Sequence, residues 1–388
     1  MCQHGWVTDP QNWHPPTNDE RDTPRYGVYG PPGGSPQVSQ GGPVPGWAPP
    51  PKPGLIPLRP LSFGDLMAAP FQVLRRNPRA TFGSALLLQG GITLVTLVVV
   101  GLVTFIALDR VASAPLDERA AVEAGSTLTI VLSALVPIAL SVVASALLQG
   151  VIVVEVARAT LGEKLRLAAL WRAAAPRLWP LVLWTVLLSA VLTVGVALVA
   201  GGVVLFVALG GAWVSLGVII GILGSLALIA VGAWLFTKTS LVPSLIVLER
   251  LGIGRAVRRS WSLTNGYFWR TLGVQLLVST IVNVLAQIVT TPLSILFGVA
   301  MSLVDPNSAI EGYLPAAVLY ALTLFVALVL GAVAGVVQAG TTALIYLDLR
   351  MRKEGLDLEL QRFVEAGGRG GGVADPYGHA PGQGAAAA

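Results

Sequence analysis

Few side chains in this sequence are equipped for chemistry. The three histidines, His4, His14 and His379, all lie near the ends of the chain, outside every apolar block. The single cysteine, Cys2, allows no internal disulfide. The long apolar blocks contain no Asp or Glu until their ends, where Glu155, Glu249 and Asp348 stand. Metal-assisted or acid/base hydrolysis of a phosphodiester needs histidine beside clustered carboxylates. A serine nucleophile needs a base beside it, and a phosphate-cradling loop needs a glycine-rich run ending in Gly-Lys-Ser/Thr. None of these patterns occurs, so no catalytic set, no metal site and no cofactor is expected. What remains is a set of polar residues inside the apolar blocks: Lys238, Asn283, Gln287 and Gln338, with Gln89 and Gln149. A cation in hydrocarbon costs several kcal/mol unless it pairs or snorkels. Lys238 and Gln338 precede Arg250 and Arg350 by the same interval, and Asn283, Gln287 and Thr280 share a helical face. Such a face would line a solute path, or would supply interhelical hydrogen bonds worth about 1 kcal/mol each. The residues favour the second reading, with Lys238 snorkelling.

The elements that position these residues are membrane helices. Hydrophobic residues make up 54% of the chain and charged residues 12%, where a soluble domain carries about 25% charged. A crossing needs about 20 apolar residues to span about 30 Å of hydrocarbon. The apolar blocks predict spans at about 80–108, 126–157, 179–208, 212–237, 270–303 and 314–347. Block 179–237 is long enough for two or three crossings, and charge decides between them. The connection between the second and third spans carries Arg158, Lys164, Arg166, Arg172 and Arg177, and that after the fourth carries Arg250, Arg255, Arg258, Arg259 and Arg270. The other connections are acidic, mixed or uncharged. Counting positive charge inside puts both basic connections and both termini in the cytoplasm, which requires two crossings in that block. The expected fold is all-α: a polytopic integral membrane protein with six transmembrane helices in the bacterial inner membrane. Trp171, Trp179, Trp213, Trp234, Trp261, Trp269 and Tyr313 fall where interfacial aromatic anchors belong. Residues 1–60, with 15 of the 27 prolines, read as a disordered Pro/Gly-rich cytoplasmic tail, and 366–388 as a Gly/Ala-rich one; 61–365 is the membrane domain.

A unit recurs three times. Segments 64–79, 162–177 and 254–269 overlay without a gap, each a short basic amphipathic stretch leading to a span opened by Pro78, Pro176 or Phe268. Ser62 and Asp65 have capping-box spacing, and Thr160 and Glu163 occupy the same offsets in the second copy. The third copy lacks the box but keeps its apolar face in Ile253, Val257 and Trp261. The architecture is therefore three parallel repeats of an interfacial helix plus a helix pair. The cations offered to anionic lipid are Arg75, Arg76, Arg79, Arg166, Arg172, Arg255, Arg258 and Arg259. Whether the amphipathic helices lie on lipid or pack on one another stays open at this stage. The formal charge of +5, spread over these connections, reads as membrane orientation rather than nucleic-acid binding.

The run Pro53-Gly-Leu-Ile-Pro-Leu-Arg-Pro-Leu-Ser-Phe-Gly-Asp-Leu66, with Arg75-Arg-Asn-Pro-Arg79 after it, resembles the start of an actinobacterial family labelled the membrane domain of glycerophosphoryl diester phosphodiesterase. Arg258-Arg-Ser-Trp-Ser-Leu263 and Gly266-Tyr-Phe-Trp269 resemble its second landmark. The resemblance covers about 53–365 and carries no chemistry. The label comes from proteins in which such a region is joined to a soluble catalytic domain. No such domain is expected here, so the enzymatic label does not transfer. The functional expectation is a non-enzymatic membrane scaffold or accessory protein. It would contact anionic lipid through its arginines and a cytoplasmic partner through its Pro-rich tail. A transporter or channel is the alternative, and a lipid head-group enzyme ranks third.

Overall fold

The computed structural model describes residues 54–304, 310–367 and 376–377. The expected Pro/Gly-rich leader up to residue 53 and most of the expected Gly/Ala-rich tail lie outside the described residues. Among the described residues there are eleven α-helices, one 3-10 turn and no strand. They are α1 (Phe63–Arg76), α2 (Pro78–Ser113), α3 (Arg119–Ser133), α4 (Leu135–Thr160), α5 (Leu167–Ala208), α6 (Trp213–Thr239), α7 (Val242–Val247), α8 (Ile253–Thr264), α9 (Phe268–Ser302), α10 (Leu314–Glu354) and α11 (Leu356–Gly367), with the 3-10 turn at Ile310–Tyr313. Six helical stretches are long and apolar enough to cross a membrane: α2, α3 with α4, α5, α6 with α7, α9, and α10. The protein is an all-α polytopic membrane protein.

Local chemistry sets the breaks. Ser62 caps α1 through the expected box: its Oγ accepts from the Asp65 amide at 3.1 Å, and Asp65 Oδ2 accepts from the Ser62 amide at 3.1 Å. Pro78 opens α2 and Phe268 opens α9, as read from the sequence. Pro176 does not open a helix. It lies inside the 42-residue α5 together with Pro180. The second copy therefore has no separate interfacial helix: residues 161–166 are non-helical, Gly162 sits at φ +83°, and α5 runs straight from Leu167 into the span. Its expected capping box fails because Thr160 is the last residue of α4 and its hydroxyl donates to the Ala157 carbonyl. The second span breaks at Ala134, three residues before Pro137, which has no N–H to continue the ladder.

Each span pairs with its successor as a hairpin: α2 with α3–α4, α5 with α6, and α9 with α10. Packing between hairpins is concentrated at one end, called here the basic end after its connections. In α5 the buried residues are Leu170, Ala174, Leu181 and Trp184, all from its first half. In α9 they are Thr271, Val274, Gln275 and Val278, again near the start. In α4 and α10 burial crowds toward the final turns, Gly150–Thr160 and Val336–Met351. The far halves expose apolar side chains such as Phe105, Leu198, Ile229 and Phe325, which hydrocarbon tolerates because it is as apolar as they are. Small residues close the interior where helices approach. A Cβ on Gly335 of α10 would stand 2.9 Å from Leu148, and Gly331 faces Gln89 of α2. Gly331 and Gly335, spaced as G-x-x-x-G, allow this close approach.

The folded region starts earlier than residue 61. Leu55 and Ile56 are buried, and the Leu55 amide donates to the Ala159 carbonyl at 3.0 Å. Gly54 passes so close to α4 that a Cβ would meet the Thr160 carbonyl oxygen at 2.2 Å. From the far end of the chain, Tyr377 also reaches this place: it is 3% exposed and its hydroxyl donates to the Ala157 carbonyl at 3.0 Å.

Candidate functional site

The site is the basic end, where three buried carboxylates organise the connections. Asp348, 1% exposed near the end of α10, accepts from the Leu61 amide at 2.8 Å. It also accepts from Arg352 Nε at 3.0 Å and lies 3.4 Å from Arg270 Nη2. Both arginines donate to the Leu61 carbonyl as well. The backbone of one residue, Leu61, directly before the α1 cap, is thus held at both its N–H and its C=O.

Glu249, between α7 and α8, forms the second centre. It accepts from Tyr346 Oη at 2.9 Å and Arg259 Nη2 at 3.2 Å, with Arg350 Nε at 3.7 Å. Arg350 donates to Tyr346 Oη at 3.0 Å and to Glu354 at 2.9 Å, and Arg259 reaches the same Glu354 at 3.0 Å. Two arginines, two glutamates and a tyrosine tie α8 to α10. The third centre is Glu155 of α4, which accepts from Asn77 Nδ2 at 3.1 Å. The same amide donates to the Leu165 carbonyl at 2.9 Å, joining the α1–α2 junction to the α4–α5 connection.

Two of the four lysines close the α8–α9 connection. Lys238, in the last turn of α6, donates to Asn265 Oδ1 at 2.6 Å, with the Trp261 ring 5.7 Å and the Phe268 ring 6.0 Å away. Lys353 donates to the Ser262 and Asn265 carbonyls at 2.8 and 2.7 Å, covering the negative end of α8. Outside the spans, the hydrogen bonds from Ser62 hold the Asp65 carboxyl below its usual range.

The predicted site residues divide. Arg259 is drawn into the Glu249 centre rather than left for lipid, because Glu249 and Glu354 both face it. Arg75, Arg79, Arg166, Arg172, Arg255 and Arg258 are exposed, and none is ion-paired among the described residues. Arg76 is half-buried beside the Glu155 carboxylate, with its Nε enclosed and not hydrogen-bonded. The expected polar face of Lys238, Asn283, Gln287 and Gln338 is not brought together. Lys238 belongs to the basic end, whereas Asn283 and Gln287 lie exposed on mid-α9, bonded locally to Ser279 and Thr291. Gln338 is half-buried on α10. Its matching interval with Lys238 loses its meaning because α6 stops at Thr239 while α10 runs on to Glu354.

Sequence reasoning passed over α7, α11 and the packed leader. The signals were Pro243 at a helix start, and Gly355 (φ +68°) followed by the buried Leu356 and Leu360. Glu155, Glu249 and Asp348 were visible as charges at span ends, but their partners come from distant segments. No family model, curated protein or solved structure matches the chain.

Proposed function

We propose that the chain is a non-enzymatic membrane scaffold or accessory protein whose basic end binds anionic phospholipid at the cytoplasmic face of a bacterial cell membrane. The observation that supports this is the division among the cations. Arg259, Arg270, Arg350 and Arg352 are held by buried or half-buried carboxylates. Six other arginines at the same end have no such partner and face outward. Folding uses the first group and leaves the second without an internal role. Each cation near an anionic leaflet contributes about 1 kcal/mol, so the outward set favours phosphatidylglycerol or cardiolipin over zwitterionic lipid. Trp179 and Trp269, both strongly exposed at this end, suit the head-group layer. The resemblance to the glycerophosphoryl diester phosphodiesterase membrane-domain family agrees with a lipid-facing role that involves no catalysis. A protein partner for the Pro-rich leader belongs to the same proposal. A solute path through Lys238, Asn283 and Gln287 has less support, because those side chains occupy different surfaces.

The test is reconstitution into nanodiscs of mixed zwitterionic and anionic lipid, followed by analysis of the lipid retained on mild detergent extraction. Anionic lipid is expected to be enriched, less so in high salt. Replacing all six outward arginines by glutamine is expected to abolish the enrichment. Retained lipid of bulk composition in the unaltered protein would end the reading.

A further inference from the structure

Expected to face Lys238, the polar residues of α9 instead face away from the core. Thr280, Asn283, Gln287, Thr291 and Ser294 follow one another at steps of three, four, four and three residues, which sets them on one stripe of the helix. All five are exposed. The helix turns Val274, Val278 and Val282 toward the core on its other side. Asn283 Nδ2 donates one hydrogen to the Ser279 carbonyl at 2.7 Å, and Gln287 Oε1 accepts from Thr291 Oγ1 at 3.3 Å. The Asn283 amide oxygen and the Gln287 amide nitrogen have no partner among the described residues.

On a soluble helix water would satisfy these groups. Here Asn283 and Gln287 flank the midpoint of a 35-residue span. Their side chains are too short to snorkel as Lys and Arg do. Hydrocarbon offers no donor or acceptor, so an amide left open in it is costly. The stripe therefore calls for another helix that brings hydrogen-bonding groups of its own. There is room for one. Gly298 continues the stripe four residues after Ser294, and Gly273 lies on it seven residues before Thr280. A Cβ on either glycine would meet nothing within 4 Å, and small residues on a seam let a second backbone come close.

The occupant that fits is a second copy of this chain. A side-chain amide both donates and accepts, so Asn and Gln are each complementary to themselves. The same basic connections orient every copy alike in the bilayer. Two copies related by a two-fold axis along the membrane normal therefore run their α9 helices parallel, and like residues meet at the same depth. The four steps from Thr280 to Ser294 cover 14 residues, or 3.5 each, which is the repeat of a left-handed helix pair. An unrelated helix would need amides at both depths, whereas a copy has them by construction. We infer that the α9 stripe is the seam through which two copies pair within the membrane, Asn283 bonding Asn283 and Gln287 bonding Gln287 across the axis. This pairing does not depend on lipid binding at the basic end.

The experiment uses the full chain with Cys2→Ser. Thr280→Cys reports the seam while keeping both amides, and Ile229→Cys, on the exposed apolar face of α6, is the control. Each is reconstituted in liposomes at low protein density and oxidised mildly. Position 280 is expected to cross-link into a dimer at least about tenfold faster than position 229. A second readout is association in lipid, taken from single-molecule photobleaching over a dilution series. Asn283→Leu/Gln287→Leu is expected to weaken it at least about tenfold. Because the cross-link is made with the amides in place, it stands as a test even if that double variant folds poorly. Equal cross-linking at the two positions, or a folded double variant that pairs as tightly as the unaltered protein, would overturn the seam. The same cysteine in native membranes separates the occupants. A product of twice the chain's mass supports self-pairing, and a product of any other mass would show that a different protein covers α9 and would overturn it.

Discussion

At the scale of single residues, the buried charges of the basic end serve folding. Glu249 is fully buried between Arg259, Arg350 and Tyr346. Glu249→Ala is expected to lower stability by about 3–5 kcal/mol, because two guanidiniums lose their buried partner. Tyr346→Phe removes one neutral donor and is expected to cost nearer 1 kcal/mol. Denaturation of the purified protein in detergent checks both, and near-equal losses would show that the network is not centred on Glu249. Asp65 makes a pH prediction. Its carboxyl is held below the ordinary value by the Ser62 hydrogen bonds. A depressed acid contributes its stabilisation above the unfolded value and loses it as pH falls through the folded one. The first turn of α1 is therefore expected to fray only in acid, and Asp65→Asn to remove that dependence. Amide exchange at Asp65 and Leu66, corrected for intrinsic rates, is the measurement.

At the scale of elements, contacts across sequence decide what local signals leave open. The capping box at Ser62 and the starts at Pro78 and Phe268 were legible because each is a local pattern. Pro176 looked the same in sequence, yet α5 absorbs it, since Leu170, Ala174 and Leu181 are buried along a continuous helix on either side. The question of lipid versus protein beneath the amphipathic helices was not legible either. α1 buries Leu66, Ala69, Pro70 and Val73, and Gly340 of α10 lies 3.8 Å in Cβ terms from Pro70 and Val73. Its apolar face therefore packs on a helix from the other end of the chain. The same holds for the site: Asn77 carries no sign in sequence that it will meet Leu165 and Glu155. The leader obeys this logic, because Gly54 has no room for a side chain. Gly54→Ala is expected to lift residues 54–58 off α4 at a cost of about 1–3 kcal/mol. Limited proteolysis should then cut near Leu55 and Ile56, and an unchanged cleavage pattern would contradict that packing.

At the scale of the whole molecule, one polar base and six apolar arms imply an orientation. The cations of Arg75–Arg79, Arg158–Arg177 and Arg250–Arg270 share an end with every buried carboxylate. The opposite end carries the uncharged Gly210–Gly211 turn, with both glycines at positive φ, and the acidic 114–118 connection. An even number of crossings in each repeat keeps the three basic segments on one side, and transfer of so many arginines across the bilayer is opposed by the rule that holds positive loops inside. Single cysteines at Lys164, Ser262 and Gly210, in a background with Cys2→Ser, test this directly. Whole cells treated with a membrane-impermeant thiol reagent should label Cys at 210 alone, while positions 164 and 262 should label only after permeabilisation. Labelling at 164 in intact cells would place the basic end outside. It would then face a leaflet chemistry different from the one its unpaired arginines are proposed to meet.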